Sequence, residues 1–394
     1  MRCEFDDVVL DSVITDIAAG PFGSNLRVSC FVSSCFPIID GANLKGFKVT
    51  DNITKFVTEE KARSLSRSIA KRNDVVVTIS GTLGQIAYIP QDSKYAEYLC
   101  SQRQFRVTFD DRAVYVPYLV YYFHTYEGQN KILSFANQTG VPALSQPLKN
   151  FRQIRIKLPD IDTQQRIAHI IESLDDKIEL NNKINENLQQ QVFALFDKLV
   201  FDSDNAKCHV SDIAYLNPKR TLSKNQMARC IDMSQLSTIG AFPSGWEMKP
   251  FAGGMRFMNG DTLLARITPC LENGKAAFID FLDQDEVAFG STEYIVLAPK
   301  EGIPAEFLYC LARYPAFVDY AVKNMNGSSG RQRVSAETIG QFVLPKIMLS
   351  EIKLFEKKAV PLFRKMRYNS LENICLAQMR DIMLPKLMTG EIEV

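Results

Sequence analysis

The sequence predicts an α+β protein in which two similar domains are separated by two long helices that form an antiparallel coiled coil with pseudo-two-fold symmetry. The chain has 394 residues, 46% of them hydrophobic, which is enough to bury more than one core. Its second half follows the plan of its first at an offset of about 188 residues. Each copy ends in a heptad stretch. We predict domains at 1–160 and 202–345, and helices at 161–201 and 346–394.

Strands and a short helix can be assigned in the first domain. Residues 74–79 are rich in β-branched side chains, residues 80–84 form a turn and residues 85–89 form a second strand. Residues 104–109 alternate polar and apolar side chains, as a half-buried strand does. Residues 117–123 are predicted to be a helix because they begin with proline, which suits a first helical turn.

The second domain repeats these steps in the same order. Residues 261–267 and 276–279 are predicted strands joined through a tight turn at 272–275. Residues 294–297 match the later strand of the first domain, and residues 304–309 match its short helix. The repeat therefore extends beyond the helices to the domains themselves.

The heptad stretches predict a pair of helices that pack on each other. Each stretch covers about 36 residues, or roughly 54 Å of helix, which is longer than either domain could cover. Pro361 interrupts the second stretch and is expected to kink that helix or to make it start late. The heptad rows are Ile167, Leu174, Asn181, Leu188, Leu195 and Ile171, Ile178, Asn185, Val192, Leu199 in the first helix, and Phe355, Leu362, Asn369, Leu376, Met383 and Ala359, Met366, Asn373, Arg380, Leu387 in the second.

Two asparagines occupy the middle of each heptad stretch. Antiparallel pairing would bring Asn181 and Asn185 opposite Asn369 and Asn373 as helix-pairing residues. A buried polar layer costs stability, but it disfavours slipped registers because their amides would lack partners. In the alternative, the contact line between the helices shifts to Leu180 and Ile184, which leaves the asparagines at its edge.

A coil with a similar domain at each end could hold two binding modules at a fixed separation. Symmetric DNA readers contact half-sites that lie roughly 34–36 Å apart. A rod of roughly 54 Å is of that order. The repeat therefore indicates a protein that holds two binding modules at a fixed distance along a DNA duplex.

Composition argues against several protein classes. The chain lacks the run of roughly 18 apolar residues that a transmembrane helix needs. Its nine cysteines are scattered without a C-x-x-C pair, as is typical of a reducing cytoplasm, where we expect the protein to be located. We predict no metal site, because the histidines at 124, 169 and 209 have no clustered ligands around them. A net charge of +1 does not indicate a protein that coats nucleic acid by charge alone.

The chain carries no convincing catalytic motif. Residues 81–84 lie between two strands and are interpreted as a hairpin turn, and residues 273–276 do not make a phosphate-binding loop. Asp160 followed by Asp175, Asp176 and Lys177 resembles the constellation of a metal-dependent nuclease. Such a site needs its groups to converge on Mg²⁺, whereas the last three are expected on the solvated face of a helix. We therefore predict no catalytic residues and keep the nuclease as an alternative.

Several segments closely resemble the specificity subunits of type I restriction–modification systems. They are Gly-Pro-Phe-Gly-Ser-Asn-Leu at 20–26, Thr-Gly-Val-Pro-Ala-Leu-Ser at 139–145, Leu-Pro and Gln-Gln-Arg-Ile-Ala within 158–168, the helical stretch 174–182, and the closing segment 384–392. The resemblance covers nearly the whole chain. The second half departs from it, because Leu344 and Pro345 are not followed by a Gln-Gln pair.

This resemblance implies a non-catalytic DNA-recognition subunit. Each domain would be a target-recognition domain that reads one half of a bipartite, asymmetric site in double-stranded DNA. The helices would set the spacing and dock two methyltransferase subunits, and restriction subunits would join the complex. Partners would carry S-adenosylmethionine, ATP and Mg²⁺, with no cofactor in this chain and no membrane partner. A coiled-coil adapter between proteins remains an alternative, since the net charge is close to zero.

Candidate DNA-binding residues were chosen for side chains that can reach a groove from loops. Base recognition needs donors and acceptors, and phosphate binding needs cations, hydroxyls and backbone N–H groups. The candidates are Ser24, Asn25, Lys45, Ser80, Thr82, Gln85, Gln102, Arg103, Gln138 and Thr139 in the first domain, and Arg266, Thr268, Asn273, Lys275, Thr292, Ser328, Ser329, Arg331 and Arg333 in the second. A further cluster, Lys61, Arg63, Arg67, Lys71 and Arg72, is either a phosphate-facing helix or a solvated charged face.

Overall fold

A computed structural model of the protein describes residues 5–137, 141–201, 206–328 and 330–394. The chain divides into two units. Unit 1 comprises Met1–Leu174 and Gln378–Val394, and unit 2 comprises Asp175–Ala377.

Unit 1 is built from short strands, four short helices and part of a long one, all within its described residues. The strands are β1 (Asp6–Val9), β2 (Ile14–Ala19), β3 (Phe36–Ile39), β4 (Phe56–Val57), β5 (Ile69–Lys71), β6 (Val75–Thr78), β7 (Ile86–Tyr88), β8 (Glu97–Cys100), β9 (Gln104–Phe109), β10 (Ala136–Asn137), β11 (Ala143–Leu144) and β12 (Arg155–Leu158). The helices are α1 (Glu59–Ser64), α2 (Val116–His124), α3 (Tyr126–Leu133), α4 (Pro147–Arg152) and α5 (Ile161–Phe201), which continues into unit 2.

Unit 2 repeats this arrangement. Its strands are β13 (Lys207–His209), β14 (Ala214–Leu216), β15 (Met227–Ile231), β16 (Glu247–Pro250), β17 (Met255–Phe257), β18 (Thr262–Ala265), β19 (Ala276–Phe278), β20 (Ala288–Gly290), β21 (Tyr294–Pro299) and β22 (Val343–Pro345). Its helices are α6 (Val210–Ile213), α7 (Ala305–Arg313), α8 (Pro315–Lys323), α9 (Ala336–Gly340) and α10 (Leu349–Met388), which continues into unit 1.

Each unit contains two four-stranded sheets with the same connectivity. The strand orders are β2-β9-β6-β7 and β4-β3-β8-β5 in unit 1, and β14-β21-β18-β19 and β16-β15-β20-β17 in unit 2. In the second sheet of each unit one pair is parallel, namely β3 with β8 and β15 with β20. The α+β class and the two similar domains predicted from the sequence are confirmed. The second sheets were not predicted, because their strands are only two to five residues long.

Both faces of the central sheet of each unit are buried. In β6, Val75 and Val77 belong to the core that includes α2, while Val76 belongs to a second core on the opposite face. In β18, Leu264 and Leu263 are divided between two cores in the same way. Burial on both faces explains why these strands are continuous apolar runs without alternation.

The long helix α5 begins on a capped and buried first turn. Asp160 accepts hydrogen bonds from the backbone N–H of Thr163 at 2.9 Å and from its Oγ1 at 2.7 Å, as an N-cap residue does. Gln164 is fully buried: it accepts from the Tyr115 N–H at 2.9 Å and donates to the carbonyl oxygens of Ala113 at 2.9 Å and Pro159 at 2.8 Å. Gln164, the first residue of the Gln-Gln pair, therefore fixes the start of the helix to its domain.

Within unit 2, α5 and α10 pack against each other in antiparallel directions. Asn181 Nδ2 donates to Asn373 Oδ1 at 2.9 Å, and Asn369 Nδ2 donates to Asn185 Oδ1 at 2.9 Å. Further along, the rings of Phe196 and Phe355 lie 6.3 Å apart. The partner of each successive α5 residue lies earlier on α10, which is the antiparallel order.

The asparagines lie in this helix pair. Asn181 and Asn369 are 1% and 0% exposed, whereas Leu180 is 52% exposed, so the contact line between the helices does not pass through Leu180. The predicted late start of the second helix is wrong, because α10 begins at Leu349, ahead of Pro361. Buried residues on both sides of the proline, Ala359 and Phe363, hold this stretch against the core of unit 2 and offset the lost hydrogen bond.

Candidate nucleic-acid interface

Three loops of unit 1 are joined at one edge of the central sheet by backbone hydrogen bonds. The Ile79 N–H, just after β6, donates to the carbonyl oxygen of Arg103, which lies between β8 and β9. The carbonyl oxygen of Ile79 accepts from the Leu144 N–H of β11 at 2.8 Å, and Gly81 donates to Pro142 at 3.0 Å. We call this arrangement the loop junction of unit 1.

The Gly-Pro-Phe-Gly segment is anchored to the same junction. Gly20 donates its N–H to the carbonyl oxygen of Gln104 at 2.8 Å, and a Cβ at this position would overlap the carbonyl oxygen of Ser101. Only glycine permits this close approach of two backbones. The motif at 20–26 is therefore the attachment of one more loop to the turn that carries Gln102 and Arg103.

Five of the predicted residues line one groove at this junction, with a volume of about 560 Å³. They are Ser80, Thr82, Gln85, Gln102 and Arg103. Thr82, Gln102 and Arg103 are exposed. These three can therefore offer a hydroxyl, an amide and a guanidinium to a ligand.

The amide of Gln85 is used inside the protein. Its Nε2 donates to the carbonyl oxygen of Gly41 at 3.0 Å, and its Oε1 accepts from the Thr78 hydroxyl at 3.1 Å. Both bonds hold the groove wall in place.

Three further predicted residues of this domain, all described, lie apart from the groove. Ser24 and Asn25 are exposed on the Gly-Pro-Phe-Gly loop, and Lys45 is exposed on a different loop. Gln138 and Thr139 lie outside the described residues.

Unit 2 has a loop junction with the same backbone bonding. The Arg266 N–H, just after β18, donates to the carbonyl oxygen of Glu293 at 3.0 Å. The carbonyl oxygen of Arg266 accepts from the Val334 N–H at 3.0 Å. Arg266 thus takes the place of Ile79, and Glu293 takes the place of Arg103. The backbone plan is repeated while the side chains differ.

A salt bridge ties together two loops of the unit 2 junction. Arg333 donates from Nε and NH2 to the carboxylate of Glu293 at distances of 2.7–3.0 Å, and from NH1 to the carbonyl oxygen of Arg331 at 3.1 Å. This guanidinium holds the pKa of Glu293 below its usual value and keeps the carboxylate charged. All three nitrogens of the Arg333 guanidinium are engaged within the protein.

Arg331 lies on the same loop and is exposed. Its backbone N–H donates to the carbonyl oxygen of Ser328 at 3.0 Å, next to the left-handed glycines Gly327 and Gly330. Ser328 is also exposed, and Ser329 lies outside the described residues. The described residues at the tip of this loop therefore present the Arg331 guanidinium and the Ser328 hydroxyl to solvent.

Of the other predicted residues of unit 2, two are exposed and three are partly buried. Asn273 and Thr292 are exposed. Lys275 donates to the carbonyl oxygen of Met233 at 2.8 Å, and the Thr268 hydroxyl donates to the carbonyl oxygen of Gln332 at 3.3 Å. Arg266 is half-buried, and its Nε lacks a hydrogen-bond partner among the described residues.

The basic cluster of the first domain does not form one phosphate-facing helix, so that interpretation is wrong. The helix α1 ends at Ser64, and Arg67, Lys71 and Arg72 lie beyond it. Arg63 pairs with Glu97 at 2.6 Å and Lys71 approaches the same carboxylate at 3.8 Å, so part of its charge is balanced locally.

Two of the residues considered for a nuclease, Asp160 and Lys177, have contacts of another kind. Asp160 is the N-cap of α5, and its bonds to Thr163 lower its pKa. Lys177 pairs with Glu372 at 3.4 Å. In the part of the chain that the structure describes, there is no group of three or more residues arranged to hold a metal ion.

Part of the chain matches a known family. The family described as "Type I restriction modification DNA specificity domain" matches residues 37–190, which include most of the residues that line the unit 1 groove and most of α5. Among curated proteins the chain is similar to the HindI specificity subunit of Haemophilus influenzae, with 26% identity over 61% of this chain and 69% of that protein. It is also similar to the MjaIX specificity subunit of Methanocaldococcus jannaschii, with 21% identity over 86% of this chain and 82% of that protein.

A solved structure supports the fold assignment. The chain is similar to the S subunit of a type I restriction-modification system from M. genitalium, with a TM-score of 0.60, 15% identity, and coverage of 98% of this chain and 96% of that one. Like the curated relatives, that protein is named as a specificity subunit. Within the described residues, no helix has both the length and the apolar character needed to span a membrane.

Sequence reasoning missed three structural features of these units. Gln164 was noted only as part of a motif, and its buried bonds depend on residues about 50 positions away. Glu293 carried no local signal at all. Phe22 belongs to the Gly-Pro-Phe-Gly motif, but a phenylalanine is usually buried, so its residue type does not predict an exposure of 83%.

Proposed function

We propose that this chain is the non-catalytic DNA-recognition subunit of a type I restriction–modification complex, with each unit reading one half of a bipartite, asymmetric site. The observation that carries the proposal is the repeated loop junction. Unit 1 presents exposed Arg103 at the position where unit 2 has Glu293 held by Arg333. A shared backbone with different side chains suits two readers of different base sequences.

The exposed side chains have the chemistry that base recognition needs. Arginine can donate two hydrogen bonds to guanine, and glutamine can pair with adenine in the major groove. In unit 1, Gln102 and Arg103 follow each other on one turn. In unit 2, Arg331 is an exposed cation on a different loop of the junction, and Asn273 and Thr292 are exposed polar residues of other loops.

The helices would set the spacing between the half-sites and dock two methyltransferase subunits. An exposed heptad row on α10 supports the docking: Leu354, Pro361, Tyr368 and Cys375 recur every seven residues, and all four are exposed. This row lies apart from the buried row that packs on α5. A second helix surface of this kind needs a partner of its own.

The chemistry of modification and cleavage would be carried by partners. We expect S-adenosylmethionine on the methyltransferase subunits, and ATP and Mg²⁺ on partner subunits, with restriction subunits joining the same complex in the cytoplasm. This chain would determine only the DNA sequence at which the complex binds.

Methylome sequencing of a host strain with and without the gene tests the proposal. We expect a bipartite motif with methylated adenines that is lost on deletion and restored by the intact gene. An identical methylome in both strains would overturn the proposal. Pull-down of partners with and without DNA separates it from a protein–protein adapter, which would show no dependence on the motif.

A further inference from the structure

An exposed aromatic ring stands at the edge of the unit 1 loop junction. Phe22 is 83% exposed, and Val28, a few residues further along the chain, is 81% exposed. Phe22 lines a hollow of about 760 Å³ together with Gln102 and Arg103, and Val28 lines the groove that contains the same two residues. The proposed base-reading turn is therefore flanked by apolar side chains on two sides.

The backbone on both sides of Phe22 is fixed. Pro21 is buried, and Gly20 is bonded to Gln104. The carbonyl oxygen of Phe22 accepts from the Asn25 N–H at 2.8 Å, and Leu26 is 8% exposed within a hydrophobic cluster. The ring is thus carried by an ordered turn, so little backbone freedom is lost when a ligand covers the ring.

The surroundings of this ring are positively charged. The hollow is lined by Arg103 and Lys149 and, among its described residues, by no carboxylate. Tyr126 in the same unit offers a contrast. It is 84% exposed, but Glu127 beside it pairs with Lys131 at 2.8 Å, so its neighbourhood is neutral.

We propose that Phe22 is an apolar wedge that unit 1 packs against the bases of its DNA half-site, next to the base edges that Gln102 and Arg103 read, while Lys149 binds the adjoining phosphates. This inference rests on the proposed function and adds a residue to it. Aromatic rings stack on bases of any sequence, and apolar side chains inserted at a base step unstack it partially. A cation near the ring holds the backbone that the wedge must approach.

The test uses the full-length chain co-purified with its methyltransferase subunits. The probes are a duplex bearing the motif found by methylome sequencing and a scrambled duplex of equal length. Phe22→Ala is expected to weaken binding to the motif duplex about tenfold, with an unchanged salt slope because no phosphate contact is lost. Phe22→Trp should restore binding. Tyr126→Ala should stay within about twofold of wild type, and the thermal midpoints of all variants should match.

A second measurement reports on the bases themselves. Duplexes carrying 2-aminopurine at successive positions of the half-site should brighten at one step with the wild-type complex and stay dim with Phe22→Ala. Wild-type affinity and brightening in Phe22→Ala would overturn the wedge while leaving the proposed function intact. A wild-type complex that does not distinguish the motif from the scrambled duplex would overturn both.

Discussion

At the scale of single residues, two arginines on one loop of unit 2 have different surroundings. Arg333 is held by Glu293 and by the carbonyl oxygen of Arg331, whereas the Arg331 side chain extends into solvent. A guanidinium with all its nitrogens engaged fixes the loop, and an exposed one is available to DNA. The two residues can therefore be separated by mutation.

Arg331→Ala should make the slope of the logarithm of the DNA-binding constant against the logarithm of salt concentration shallower by about one, without a change in thermal stability. Arg333→Ala should instead lower the thermal midpoint, because it removes a partly exposed ion pair and frees the loop. Affinity measured from 50 to 300 mM salt, together with thermal melting, distinguishes the two. An equal loss of slope in both variants would contradict the division of roles.

The sequence predicted some of these residues and could not predict others. The strand 104–109 was assigned with its observed bounds, because alternation is a local property. The half-buried position expected from that alternation is wrong, since the fold buries five of its six residues, Gln104 and Arg106 among them. Exposed loop residues such as Arg103 and Arg331 were candidates because their side chains can reach a groove. The carboxylate that holds Arg333 lies 40 residues earlier, and the bonds of Gln85 depend on Gly41, so their roles required the fold. Local patterns predict elements, whereas the partners of polar side chains are set by tertiary contacts.

At the scale of elements, the start of α5 depends on one buried amide. Gln164→Leu keeps the side-chain size but leaves the N–H of Tyr115 and the carbonyl oxygen of Ala113 without their partner, so we expect a loss of about 3 kcal/mol in the free energy of unfolding. Its neighbour Gln165 is only partly buried, and Gln165→Leu is the matched control, with an expected change below about 0.5 kcal/mol. Urea unfolding curves check both. Equal midpoints would exclude the anchoring role.

For the asparagines between α5 and α10, substitution is expected to raise stability. The Oδ1 atoms of Asn181 and Asn369 are buried and, within the described residues, accept no hydrogen bond. Replacing both residues with leucine should therefore raise the thermal midpoint while weakening the selection of register. Spin labels at Asn187 and Arg364, both exposed, should give one narrow distance in the parent chain and a broadened distribution in the double variant. A narrow distribution in both would show that apolar packing alone selects the register.

At the scale of the whole molecule, the repeated plan predicts independent reading. Replacing residues 1–160 with the equivalent domain of another specificity subunit should change one half of the methylated motif and leave the other half intact. The reciprocal exchange of 202–345 should change only the remaining half. Methylome sequencing of the two chimaeras checks the prediction, and a change in both halves from a single exchange would contradict it.

The last residues of the chain complete the core of its first unit. Leu384, Leu387 and Met388 are buried among the side chains that surround α2 and the start of α5, and Gly390 lies against the ring of Phe5. During synthesis, part of the apolar surface of the first unit therefore stays uncovered until residues 384–388 have left the ribosome. A nonsense codon ahead of residue 384 should therefore destabilise the unit that was translated first, and a chaperone has most to protect there.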